Sequence, residues 1–164
     1  MPPSAAPQSA QDALDLLSED QDEILELFDR YDALVADQEA PDRRRALAEE
    51  ICTLLLVQAE IKREILYPAA RDALADETPV DEAVEALSGL EATIADVQAG
   101  DPGEPRYDAT MRVLQELFVE CMEEERVVLF PRLRESSIDL EELGGELSAR
   151  EEVLLEAGDE RGEA

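Results

Sequence analysis

Histidine is absent from this 164-residue chain, lysine occurs once, cysteine twice, and aromatic residues make up only 4%. Without histidine there is no serine–histidine arrangement and no imidazole to bind a metal. The chain also has no glycine-rich phosphate loop and no paired-cysteine motif, so nothing in it specifies an enzyme. Cys52 and Cys121 fall in separate helical patterns at non-matching heights and read as two reduced, buried thiols. No run reaches the ~18 apolar residues of a membrane span. The N-terminus lacks the basic-then-apolar pattern of a signal peptide, which points to a cytoplasmic protein. Bases are scarce as well: forty-three acidic residues face fourteen basic ones, for a formal charge of −29. That charge repels nucleic acid and anionic membrane surfaces, leaving an unidentified protein as the only macromolecular partner to consider.

What the chain does contain is a stretch that occurs twice. Gln58-Ala-Glu-Ile-Lys62-Arg-Glu-Ile-Leu-Tyr67-Pro68 is followed sixty-three positions later by Cys121-Met-Glu-Glu-Glu125-Arg-Val-Val-Leu-Phe130-Pro131. In each copy a polar or thiol side chain precedes a charged one by four residues, which puts the two one turn apart on a single helix face. Each copy then meets an aromatic–proline step, which should end or kink the helix. The only lysine, Lys62, lies inside the first copy.

Taken in order, residues 1–9 read as a disordered leader rich in proline and serine, and residues 10–157 as one helical domain. A first helix is expected over 10–37, with Leu14, Leu17, Ile24, Phe28, Tyr31 and Val35 alternating by three and four. A second covers 42–75, entered at Pro41-Asp42 and bent at Pro68. A third covers 79–99 behind a Thr78-Pro79 cap, and a fourth covers 106–135 after the turn-rich Gly100–Pro105 connector. A last helix over 138–157 carries Leu143, Leu147, Val153 and Leu154, with Gly144-Gly145 as its weak point and a loose tail over 158–164. Long helices, short connectors and almost no strand-type alternation predict an all-α, up-down-up-down four-helix bundle with an additional C-terminal helix.

Every one of the four main stripes is interrupted near its middle by something other than an aliphatic side chain. The interruptions are Gln21, Gln58 with Lys62, Glu91, and Cys121 with Glu125. In an antiparallel bundle those midpoints share one level, so the core should hold a layer of two amides, two carboxylates, an ammonium and a thiol. Unpaired buried polar groups cost ~1–3 kcal/mol and unpaired charges more, so such a layer is not expected by chance. Facing polar side chains at i and i+4 inside a bundle are a typical place for a metal.

The pattern resembles the hemerythrin-like, or HHE cation-binding, family. The resemblance spans about residues 12–157 and rests on Leu16-Leu17-Ser-Glu-Asp20-Gln21, on the two repeated segments with their Tyr67-Pro68 and Phe130-Pro131 endings, and on Asp139-Leu-Glu-Glu-Leu143-Gly144. It implies a bundle caging a di-iron centre used in oxygen binding, iron or oxygen sensing, or handling of reactive species. The family places a histidine on the first helix, a histidine with a glutamate four later on the second, a histidine on the third, and again histidine with glutamate on the fourth. Those positions fall here on Gln21, on Gln58 and Lys62, on Glu91 or a neighbour, and on Cys121 and Glu125. Only Glu125 keeps the family identity. Glutamine amides are poor iron ligands, and an ammonium at a ligand position repels a dication.

The expectation that follows is a bundle that has lost its di-iron site, with no cofactor and no catalytic residues. In it Lys62 would neutralise Glu125 or Glu91 from inside the core, leaving a layer of net charge −1. Such a protein would act as a binding or regulatory component rather than an enzyme. The alternative is an atypical iron or zinc site built from Glu91, Cys121 and Glu125, with a role in oxygen, iron or reactive-species sensing. A redox role for Cys121 is disfavoured, because burial and the neighbouring Glu125 both raise a thiol pKa.

Overall fold

The computed structural model describes residues 11–162, which are all-helical with no strand. The leader expected over 1–9 and the last two residues of the tail lie outside the described residues. α1 (Ala13–Ala36) starts at Asp12, whose carboxylate accepts the Asp15 backbone N–H at 2.9 Å, and ends at a turn in which Gln38 takes φ 54°. α2 (Pro41–Ile61) opens on a proline whose missing N–H costs nothing in a first turn. α4 (Thr78–Ala99) and α5 (Pro105–Glu124) also carry proline in the first turn. The turn before α4 is held by the Asp76 carboxylate, which accepts the Thr78 N–H at 3.0 Å, and not by the Thr78 side chain.

The helices expected over 42–75 and 106–135 do run through Pro68 and Pro131, but not as regular α-helix. Neither proline ends its helix. Instead α2 passes through a π-helical turn, Lys62–Leu66, into α3 (Tyr67–Ala73), and α5 passes through a second, Glu125–Leu129, into α6 (Phe130–Glu135). The Tyr67 N–H reaches the Lys62 carbonyl and the Phe130 N–H reaches the Glu125 carbonyl, each a five-residue step. In a regular α-helix the ring of Pro68 or Pro131 would collide with the carbonyl four residues back; the wider turn just before each proline relieves that collision and keeps the rod continuous.

The C-terminal helix α7 (Leu140–Gly162) is also unbroken, running through Gly144-Gly145 and past Gly158 into the stretch expected to be loose. Asp139 caps it, accepting the Glu142 N–H at 3.1 Å. Gly144 is there for contact: a Cβ at that position would stand 2.5 Å from the Gln11 carbonyl oxygen and 2.9 Å from the Ala13 nitrogen. α7 therefore lies backbone to backbone against the start of α1. It also packs on α2 and on the first π turn.

The stripes face one core. Phe28 and Phe118 meet with ring centroids 5.9 Å apart in a core that also contains Leu14, Leu17, Ile51, Leu55, Ile94 and Leu114, all fully buried. Each end of the assembly is closed by polar contacts between helix termini. At one end Asp108, in the first turn of α5, accepts Tyr31 Oη from α1 at 2.6 Å and both oxygens accept Arg44 from α2, at 2.7 and 2.8 Å. Elsewhere Arg134 of α6 binds Asp12 and Asp15 at the start of α1, and Arg71 of α3 binds Asp81 at the start of α4. Among the described residues no helix is long and apolar enough to cross a membrane.

Candidate functional site

The two π turns face each other through their first residues. Lys62 Nζ donates to Glu125 Oε1 at 2.7 Å, and both side chains are only 4% exposed. Each of these residues closes a polar pair one turn long on its own helix, Gln58 with Lys62 and Cys121 with Glu125. Gln58 and Gln21 are buried as well, so the described core contains four buried polar or charged side chains in all: Gln21, Gln58, Lys62 and Glu125.

The arginine that follows each charged residue reaches outward to a different helix. Arg126 Nε donates to Gln21 Oε1 at 2.9 Å, while its Nη2 donates to the Ser18 carbonyl at 2.9 Å and to Asp22 at 3.0 Å. Arg63 Nε donates to Glu91 Oε1 at 3.0 Å, and its Nη2 reaches the same oxygen and Ser88 Oγ. The two copies of the motif thus do the same thing twice. The charged residue pairs inward with its counterpart, and the next arginine fastens the interrupting residue of a neighbouring helix.

That geometry departs from the expected six-membered layer at two positions. Glu91 does not join the core: its side chain is 33% exposed and bound by Arg63. A guanidinium at the surface neutralises this carboxylate without desolvating it, whereas the core offers one ammonium, already taken by Glu125. The inner pair is consequently neutral rather than −1. Cys121 is half-buried and lies beside the pair, and burial pushes its thiol up to about 11, with Lys62 opposing and Glu125 reinforcing that shift. Cys52 is fully buried, is pushed up to about 12 by desolvation, and is likewise a free thiol.

Three buried polar atoms have no hydrogen-bond partner among the described residues: Gln21 Nε2, Gln58 Nε2 and Glu125 Oε2. Lys62, Glu125, Gln58 and Cys121 border a cavity of about 10 Å³, walled on the α4 side by Ala83, Leu87 and Leu90. Gln58 also borders a second cavity of about 110 Å³ beneath α7, lined as well by Asp20, Glu23 and Glu151. Asp20 is pushed up to about 8, mainly by burial and then by its hydrogen bond to the Glu151 carboxyl, while Lys62 pulls the other way.

Asp20, Glu151, Arg63 and Arg126 were not singled out by sequence reasoning as parts of the site. The arginines carried a signal, because they occupy the same place in both motif copies. Asp20 stood only as the neighbour of Gln21 in the first-helix motif, and nothing signalled its pairing with Glu151, since that proximity depends on where α7 docks. Among the described residues no group of three or more carboxylate or thiol side chains is placed to hold a metal ion, so Glu91, Cys121 and Glu125 do not form a common site. Comparison with protein-family models, with curated proteins and with solved structures gives no match.

Proposed function

We propose that the chain is a hemerythrin-like, up-down-up-down four-helix bundle with an added C-terminal helix, in which an internal ion pair occupies the place of a di-iron centre. It acts as a non-catalytic binding or regulatory protein. The observation that carries the reading is the Lys62–Glu125 pair, joined at 2.7 Å between two π turns of equivalent sequence. Helix termini tied at both ends by Asp108–Arg44–Tyr31 and by Asp12–Arg134 favour the up-and-down arrangement.

The residues present do not fit a pair of metal ions. The positions that would supply ligands hold two neutral amides, an ammonium, a protonated thiol, one carboxylate engaged by that ammonium and one engaged by Arg63. An ammonium beside a dication is repulsive, and freeing Glu125 for a metal would leave Lys62 buried and unpaired.

Elemental analysis of purified protein tests the reading directly. Less than a tenth of an equivalent of iron, manganese or zinc is expected, and a stoichiometric transition metal would overturn it. A complementary variant carries histidine at 21, 58, 91 and 121 and glutamate at 62. It should gain ferrous-iron affinity over the parent, and failure to do so would break the proposed correspondence of the four helices.

A further inference from the structure

The cavity beside the ion pair has an unusual set of spare hydrogen-bonding groups. Gln58 Nε2 is a donor and Glu125 Oε2 an acceptor; both are buried, neither has a partner among the described residues, and both residues border the same space of about 10 Å³. Such a volume holds about one water and nothing much larger, and a bound water needs two or more polar partners. Lys62 strengthens the case, because an ammonium has three N–H donors and the contact with Glu125 Oε1 uses one.

The charges decide what kind of molecule fits. A small anion would meet the lone pairs of Glu125 Oε2. A cation, though Glu124 also lines the space, would meet the Lys62 ammonium and the Gln58 N–H donors beside Glu125. Only a neutral molecule with both a proton to give and a lone pair to offer satisfies the two orphaned atoms together. Tyr67, Cys121 and Glu124 also line the space, and Leu87, Leu90 and Phe118 make up part of its apolar wall; a volume of about 10 Å³ leaves no room for a longer ligand.

We propose that this cavity is a binding site for a single neutral, water-sized molecule that donates to Glu125 Oε2 and accepts from Gln58 Nε2, water itself in the native protein. The site completes the ion pair: Glu125 then has both oxygens engaged, one by Lys62 and one by the guest. This inference deepens the reading above and rests on its metal-free core.

Nuclear magnetic resonance on the full, isotope-labelled chain tests it with water as the probe. The side-chain amide protons of Gln58 should show a direct water contact, with the rotating-frame sign of dipolar transfer rather than of proton exchange. Its residence should exceed that of surface hydration at least tenfold. Sodium chloride titration should leave the Gln58 amide shift unchanged. A Gln58 amide without that contact, in protein shown to be free of metal, overturns the site and leaves the metal-free reading standing. A stoichiometric transition metal removes both. A chloride-dependent shift of the Gln58 amide overturns the neutral-ligand assignment.

Discussion

Lys62 and Glu125 stand sixty-three residues apart and meet at 2.7 Å in the core, each as the first residue of a π-helical turn. A π turn widens the helix by one residue and re-aims the side chains next to it, which is why such turns gather at functional positions. Here both turns precede a proline and both aim a charge inward. The pair supplies each partner's counter-charge where water cannot.

Breaking that pair should be costly, and replacing it should not. Lys62→Met leaves a buried carboxylate uncompensated and should destabilise the fold by ~3–5 kcal/mol near neutral pH. Replacing both residues, as in Lys62→Met with Glu125→Leu, should recover most of that loss. Urea denaturation of the two variants checks this. If Lys62→Met unfolds at the parent's midpoint, the pair contributes nothing.

The Asp20–Glu151 contact makes the docking of α7 sensitive to alkali. Asp20 is held protonated by burial first and by Glu151 second, with its pKa raised from 3.8 to about 8. A raised carboxyl pKa means that the folded state binds the proton more tightly. Its contribution is therefore complete below about 4 and is lost as pH climbs through about 8. Amide protection in the C-terminal half of α7, corrected for base-catalysed exchange, should fall as pH rises from about 5 to about 8. Asp20→Asn, which keeps a donor for Glu151 and cannot ionise, should flatten that response.

The glycines of α7 predict opposite outcomes at adjacent positions. Gly144→Ala drives a Cβ into the backbone of Gln11 and Ala13 and should lower the melting temperature. Gly145→Ala meets nothing within 4 Å and, by helix propensity, should stabilise by about 0.5–1 kcal/mol. Thermal melts of the two single variants separate close approach from propensity.

Both thiols should be slow to react at neutral pH. Burial holds Cys121 near 11 and Cys52 near 12, so the thiolate fraction at pH 7 is very small. Cys121, being half-buried, should label first and Cys52 only on unfolding. Rapid stoichiometric labelling of Cys121 in native protein would point to a reactive thiol instead.

The helical class and the core stripes were legible in the sequence because three-four periodicity is a local property, and the interrupted positions showed up as gaps in it. Gln21, Gln58, Lys62 and Glu125 are all buried, and the repetition of the motif put Lys62 and Glu125 at equivalent heights. The expected spans 42–75 and 106–135 already crossed Pro68 and Pro131; what the sequence did not show is the π turn before each proline, which is set by how the helix packs. Nor could it choose a partner for each charge. Glu91 was as plausible a mate for Lys62 as Glu125, and only the tertiary structure hands it to Arg63 at the surface. Periodicity is written along one helix, whereas pairing is settled between helices by distance and by which charge can stay in water.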